Sequence, residues 1–396
     1  IMKYAGIILT GTSASGKSTI AKKLCAFNRQ FQIVQAITTR PKRADDFNYE
    51  YISKDEFGQR RSQNEYMVES TYRNEFYAIS NIHIQKIIDA GKVPILIITP
   101  QSIMNPLRIN GVIANFLSFF LDASDAILGQ RLSNRGDNSN YEDIVHRNNS
   151  DRESQSYALY KIITNRQEDI EEVTSLISWL WSTKNSGGIL PSQVLKWLIK
   201  YCSLVESETI NIDNVSAASF DLTLGSSYFQ NGQIKELKDN EPNIVIQPGD
   251  FIVAGSQERV NMPPSIAGRF DLTVSMFCKG LILSNGPQVD PGFKGILFCL
   301  LFNTSNEKIE LKKGAHYATI EFHKLIEPSL NPYNGKYQEK EKIMEYLPEI
   351  AKFSVIGQMK NDISNLKKES FWLKYLPLIV SLASLAMALF KGFSSK

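Results

Sequence analysis

The chain has 396 residues, 43% hydrophobic and 21% charged, enough for two or three packed domains and too apolar for long disordered stretches. Its 44 Lys+Arg against 41 Asp+Glu leave a net charge of +3, too small by itself to argue for a duplex nucleic-acid surface, and none is expected. Four scattered cysteines without a CxxC pair and four histidines without an HxxxH or HxE cluster argue against a disulfide scaffold and a zinc site.

In chain order, residues 3–183 alternate short apolar runs with amphipathic stretches, the pattern of an α/β domain. AGIILT reads as a buried strand, VPILIIT (93–99) and NFLSFFLD (115–122) as further parallel strands. Between the first strand and a helix, Gly11-Thr-Ser-Ala-Ser-Gly16-Lys17-Ser18 fits GxxxxGK[ST] without deviation, in the strand–loop–helix context that the motif requires. Backbone N–H groups of Gly11, Ser13, Ser15, Gly16 and Thr19 are expected to face the phosphates of ATP at a helix N-terminus. Lys17 would neutralise the β- and γ-phosphates and Ser18 would ligate Mg²⁺. No leader precedes this loop, so the body is expected in the cytoplasm.

A second phosphate site is expected in the same domain. Thr38-Thr39-Arg40-Pro41-Lys42-Arg43 puts two guanidiniums on one loop, and planar Arg forks suit bidentate phosphate binding. Tyr49, Tyr51, Glu69 and the run Phe76–Ser80 follow, then Arg131, Arg135, Arg147 and Asp151. Arginines on a mobile segment beyond a strand suit a lid that closes on a transferring phosphoryl group.

A composition break at Ser182–Gly188 (linker 184–188) ends the first domain. One helix, PSQVLKWLIKYC, then leads into short strands separated by Gly, Pro and Asn turns, an all-β barrel over 189–337. Over 338–370, Ile343, Leu347, Ile350, Phe353, Ile356, Met359, Ile363 and Leu366 recur at helical spacing and predict an amphipathic helix. Within 371–391, the run Trp372–Phe390 is 19 residues long with one charge, Lys374. As a helix it would span ~28 Å, close to a bilayer's hydrocarbon core, and is expected to cross a membrane.

Residues 3–183 resemble the guanylate kinase family of nucleoside monophosphate kinases. TTRPKR with the following YEY is similar to that family's TTRxPR…YxF element, and RLSNRG…IVHRNNSDRES…YKIITN to its lid and the segments after it. The resemblance implies that Thr38, Arg40, Arg43, Tyr49 and Tyr77 hold the acceptor phosphate, that Glu69 and Ser80 read a base, and that Lys17, Arg131, Arg135 and Arg147 act on the transferring group. Two departures stand out. The loop between Arg43 and Tyr49 is shorter and lacks the family's Gly, and Ile97-Ile98-Thr99 replaces an Asp-x-Asp strand end.

Residues 189–337 resemble the dCTP deaminase/dUTPase family. The resemblance rests on Ser219-Phe-Asp221-Leu-Thr-Leu-Gly225, Pro263-Pro264 through Gly268, Asp290-Pro-Gly-Phe-Lys-Gly295, and Gly335-Lys336-Tyr337. It implies a homotrimer of barrels with deoxynucleotide held between subunits by Ser275, Lys279, Asp290, Lys336 and Tyr337. The glutamate that deaminates in that family is replaced by Leu300, which cannot shuttle a proton. The expected partners are therefore nucleoside mono- and triphosphates and a membrane. Two functions remain open: a tethered kinase-like nucleotide enzyme, and a deoxynucleotide-sensing membrane effector, for example in antiviral defence, without turnover.

Overall fold

A computed structural model describes residues 3–346, less 43–46, 73, 137–139, 238–242 and 287, together with 365–368, 370, 374–377, 380 and 381. The first domain is built on a five-stranded parallel sheet, in the order Tyr160–Ile163, Asn115–Asp122, Tyr4–Gly11, Val93–Ile97 and Phe31–Ile33. The strand carrying the glycine-rich loop lies at the centre, with Ile7 and Leu9 fully buried because helices cover both faces. A second sheet of four strands, ordered Tyr49–Tyr51, Ala36–Thr38, Glu75–Ser80 and Tyr66–Tyr72, projects the acceptor-side residues.

The second domain is antiparallel. Its main path runs Gly188–Ile189, His316–Lys324, Ser219–Gln230, Phe251–Asn261, Lys294–Asn303 and Leu281–Ser284, with three further strands paired along it. Inward residues alternate along Ser219–Gln230, where Phe220, Leu222 and Leu224 are fully buried.

The joint differs from the expected linker. Gly188 and Ile189 pair with Lys324 and His323. Lys324 Nζ donates to the carbonyls of Thr183 at 2.8 Å and Ser186 at 2.7 Å. The helix Asp169–Ser182 packs on the helix Ser192–Cys202, and one continuous apolar core holds Tyr160, Leu176 and Leu180 together with Leu195, Leu198, Phe220 and Ile320. Across it, the Tyr160 and Ser265 hydroxyls bond at 2.7 Å. The two domains therefore share a single interior.

The helix expected from 338 does not begin there. Lys340 bridges to Gly295, and Ile343–Tyr346 is a single 3-10 turn whose Ile343 and Tyr346 are buried against Phe229, Val253 and Ile296. Ile343, the first residue of the expected stripe, thus covers the barrel from a strap and not from a helical face. The rest of the stripe up to Ile363 lies outside the described residues. The expected span at 371–391 also falls largely outside them. Among the described residues no helix is long and apolar enough to cross a membrane, so they give the span no support.

Candidate functional site

The glycine-rich loop takes its shape from three backbone constraints. Gly11 has φ +130°, and a Cβ there would sit 1.9 Å from the Leu121 carbonyl oxygen, so no other residue fits. Thr12 N–H donates to that same carbonyl at 3.1 Å. Gly16 is left-handed at φ 94° and turns the chain into the helix Lys17–Phe27, whose first amides point at whatever fills the loop. Ser15 is buried, Thr19 half-buried, and Ser18 presents its hydroxyl to solvent.

Lys17 Nζ donates to the Gly11 carbonyl at 2.9 Å and the Thr12 carbonyl at 2.6 Å. Burial is the largest influence on it and lowers its pKa to about 8, partly opposed by Asp151 and Asp122. The ammonium is charged below that value and neutral above it. Affinity for nucleotide phosphates is therefore expected to fall as pH rises through 8, where an ordinary lysine would stay charged. Nucleotide titrations between about pH 7 and 9.5 check this. The same slope in Lys17→Ala would exclude Lys17 as its source.

A cavity of ≈ 710 Å³ extends from this loop to the four-stranded sheet. Gly11, Ser13 and Lys17 line one end, Tyr49, Tyr77 and Glu69 the other, and Arg135, Arg147 and Asp151 face it from the lid side. Burial raises the Asp151 carboxyl above the usual range, against the opposing pull of Gln101, Lys17 and Arg147. Of the sequence-predicted phosphate and acceptor groups, Gly11, Ser13, Lys17, Tyr49, Glu69, Tyr77, Arg135 and Arg147 thus line one volume.

Several predicted residues sit elsewhere. Arg131 braces the loop from behind, donating from Nη1 to the Ala14 carbonyl at 3.4 Å and from Nη2 to the Thr164 carbonyl at 3.0 Å. Thr38 is fully buried, its hydroxyl donating to the Phe76 carbonyl at 3.0 Å, so it ties the sheet together. Ser80 is also fully buried. It donates to Glu65 Oε1 at 2.8 Å and accepts from Ile82 N–H at 3.1 Å, capping the helix Asn81–Asp89. Arg40 donates to the Pro41 carbonyl at 3.0 Å and lies 5.1 Å over the Tyr49 ring. Arg43 is outside the described residues.

The barrel residues are not gathered in this chain. Ser275 and Lys279 are exposed on and after the short helix Val274–Cys278. Asp290 accepts from Gln288 at 2.7 Å within a turn, and Lys336 lies 4.8 Å over the Tyr337 ring, which packs on Tyr346. Leu300 pairs with Val253 and joins the apolar cluster beneath the strap.

Sequence reading missed one network at the loop's back. Asp122, buried at the end of its strand, accepts from Thr12 Oγ1 at 3.1 Å and from Arg152 at 2.9 and 3.2 Å. Arg152 also reaches Asp125 at 3.1 Å, and Thr164 Oγ1 donates to the Ser15 carbonyl at 3.1 Å. A lone acid closing an apolar run was the available signal for Asp122.

The family model for guanylate kinase matches residues 3–182, and that for "dCTP deaminase-like" matches 189–325. The dCTP deaminase of Thermococcus kodakarensis is 36% identical over 142 residues, 36% of this chain and 89% of that protein. The chain belongs to the dCTP deaminase-like family. It joins that domain to an N-terminal guanylate kinase domain. The dCTP deaminase of Pyrococcus horikoshii is 34% identical to the deaminase-like domain over 142 residues, 36% of this chain and 88% of that protein. Among solved structures, guanylate kinase from Anaplasma phagocytophilum aligns with 46% of this chain and 88% of its own at 23% identity and TM-score 0.34. The 2'-deoxycytidine 5'-triphosphate deaminase of Agrobacterium tumefaciens aligns with 35% of this chain and 48% of its own at 18% identity and TM-score 0.32.

Proposed function

We propose that the guanylate kinase domain moves the γ-phosphoryl group of ATP onto a nucleoside monophosphate, while the deaminase-like domain binds a deoxynucleotide without deaminating it. The observation that carries this reading is one cavity lined by Lys17 and Tyr77, with Arg135 and Arg147 also in its wall. The loop amides and Lys17 hold the donor phosphates. The two arginines neutralise the group in transit, and Tyr49 and Tyr77 flank the acceptor. An acceptor phosphate oxygen is already anionic, so its attack on the γ-phosphorus, with ADP leaving, needs no general base. Mg²⁺, when bound, supplies further charge neutralisation, and the exposed hydroxyl of Ser18 is the side chain that would ligate it. Among the described residues no three His, Cys, Asp or Glu side chains converge, which suits an ion taking most of its oxygens from nucleotide and water.

In the barrel, Leu300 stands where the family's proton-shuttling glutamate belongs, so deoxynucleotide binding without deamination is the reading that fits. Val274 and Phe277 expose 78% and 68% of their surface, and we assign this apolar edge to a homotrimer contact. The apolar run within 371–391 is proposed to attach the body to a membrane, and co-flotation of the full chain with phospholipid vesicles tests it. Leu300 and that tail also favour a second reading, a deoxynucleotide sensor acting on the membrane without turnover.

The deciding experiment incubates the full chain with Mg-ATP and nucleoside monophosphates, then separately with dCTP and dUTP, and separates the products by chromatography. ADP with a nucleoside diphosphate, and unchanged dCTP, are expected. Absence of any turnover together with tight deoxynucleotide binding would replace the kinase reading with the sensor.

A further inference from the structure

We infer that Arg152 is a positioning residue for phosphoryl transfer: through Asp122 it pins the two lid arginines, Arg135 and Arg147, to the glycine-rich loop. The assignment rests on the phosphoryl-transfer reading above. Arg147 belongs to the helix Tyr141–Arg152, and Arg135 follows the helix Asp125–Ser133. Both arginines line the cavity. The end of the first helix meets the start of the second at Arg152. Its Nε donates to Asp122 Oδ2 at 2.9 Å and its Nη2 to Asp122 Oδ1 at 3.2 Å, a two-point grip that fixes the plane of the guanidinium. Nη2 also donates to the Ala123 carbonyl at 3.1 Å, and Nη1 to Asp125 Oδ2 at 3.1 Å, where the second helix starts. Asn148 adds a bond from Nδ2 to Asp125 Oδ1 at 2.9 Å. On its other side, Asp122 Oδ1 accepts from Thr12 Oγ1 of the loop at 3.1 Å.

One guanidinium thus joins three elements, and each leads to a group that faces the cavity: Lys17, Arg135 or Arg147. An ammonium has no fixed fork and cannot hold two carboxylates and a carbonyl in one plane. Packing alone does not call for these charges. Asp122 closes a mostly apolar strand and is only 4% exposed, and taking its charge out of water is costly unless it is paired. Lys161 Nζ stands 4.0 Å from Oδ2, too far to replace the grip. What a buried pair secures here is the placement of the lid against the loop. Phosphoryl transfer depends on that placement, since a displacement of about 1 Å can cost about a hundredfold in rate. Arg152 itself lies behind the loop, so it acts through Arg135 and Arg147 and not on the phosphates.

The test measures kcat and KM for the full chain, Arg152→Lys, Arg147→Met and the double variant, with a thermal melt of each. Mg-ATP is the donor, and the acceptor is the nucleoside monophosphate that the native chain turns over fastest. Arg152→Lys should lower kcat by about tenfold and shift KM for ATP far less. Arg147→Met should lower kcat by about a hundredfold and the double variant no further, because an arginine already out of place has little left to lose. Losses that multiply, or a native kcat in Arg152→Lys whatever its melting temperature, would reduce Arg152 to a structural brace and overturn the assignment. Should Arg152→Lys fail to fold, Thr12→Val, which replaces only the hydroxyl that reaches Asp122, stands in for it under the same outcomes. If the native chain phosphorylates nothing, the kinase reading fails, and calorimetric titration with ATP and with ADP decides the assignment. A preference for ATP that falls in Arg152→Lys, and no further in the double variant than in Arg147→Met, supports it. A preference untouched by Arg152→Lys, or none in the native chain, overturns it.

Discussion

Lys17→Ala is expected to lower ATP-dependent phosphoryl transfer by at least about a hundred- to a thousandfold. The side chain is the cation nearest the loop, and its Nζ already sits on the Gly11 and Thr12 carbonyls. Neither Arg131 nor Arg152 can take its place. Arg131 is turned away onto Ala14 and Thr164, and Arg152 is held by Asp122 and Asp125. The loss should appear in kcat more than in KM for the acceptor, because the charge it neutralises grows during transfer. Deoxynucleotide binding at the barrel should be unaffected in the same preparation. A variant that retains more than about a tenth of the native rate would remove Lys17 from the mechanism.

The second large effect concerns stability. Leu198→Ala removes a fully buried side chain from the core shared by the two domains, at a cost of about 2–5 kcal/mol. Because Tyr160, Leu176 and Leu180 on one side and Phe220 and Ile320 on the other belong to the same cluster, both domains should lose stability together. Calorimetry of the native chain is expected to show one cooperative transition, moved as a whole by Leu198→Ala and raised as a whole by a nucleotide bound at the loop. Two transitions, only one of which moves, would mean that the cluster is two interiors in contact.

How much of this was readable in advance depends on how far apart the partners lie. The glycine-rich loop was legible because its geometry is set by eight consecutive residues, Gly11 to Ser18, and Gly11 could be nothing else against Leu121. The two folds were legible for a similar reason, since each rests on short ordered motifs. The roles of Thr38, Ser80 and Arg131 were not. A hydroxyl or guanidinium is spent on whichever carbonyl or amide the tertiary structure brings near, and Phe76, Glu65 and Thr164 lie 38, 15 and 33 positions away. Asp122 and Arg152, 30 positions apart, meet only because a strand end and a helix end converge behind the loop. Helical spacing at Ile343 gave the right burial and the wrong element, because periodicity marks which residues are covered and leaves open what covers them.

The clamp at the joint bears on how such a chain can arise and change. Lys324, near the end of the barrel, closes on the carbonyls of Thr183 and Ser186, at the end of the kinase domain, so the last strand of one half is stitched to the first turn of the joint. A gene fusion that had only just occurred would leave a slack tether and two sealed surfaces. Here neither surface is sealed: the helix Ser192–Cys202 would lose the cover of Asp169–Ser182 on cutting, and Tyr160 would lose Ser265. Recombination through 184–188 would therefore expose an interior on each fragment, and swapping either half for a relative would require a matching face as well as a matching activity. The two halves are expected to be inherited, and to vary, as one unit.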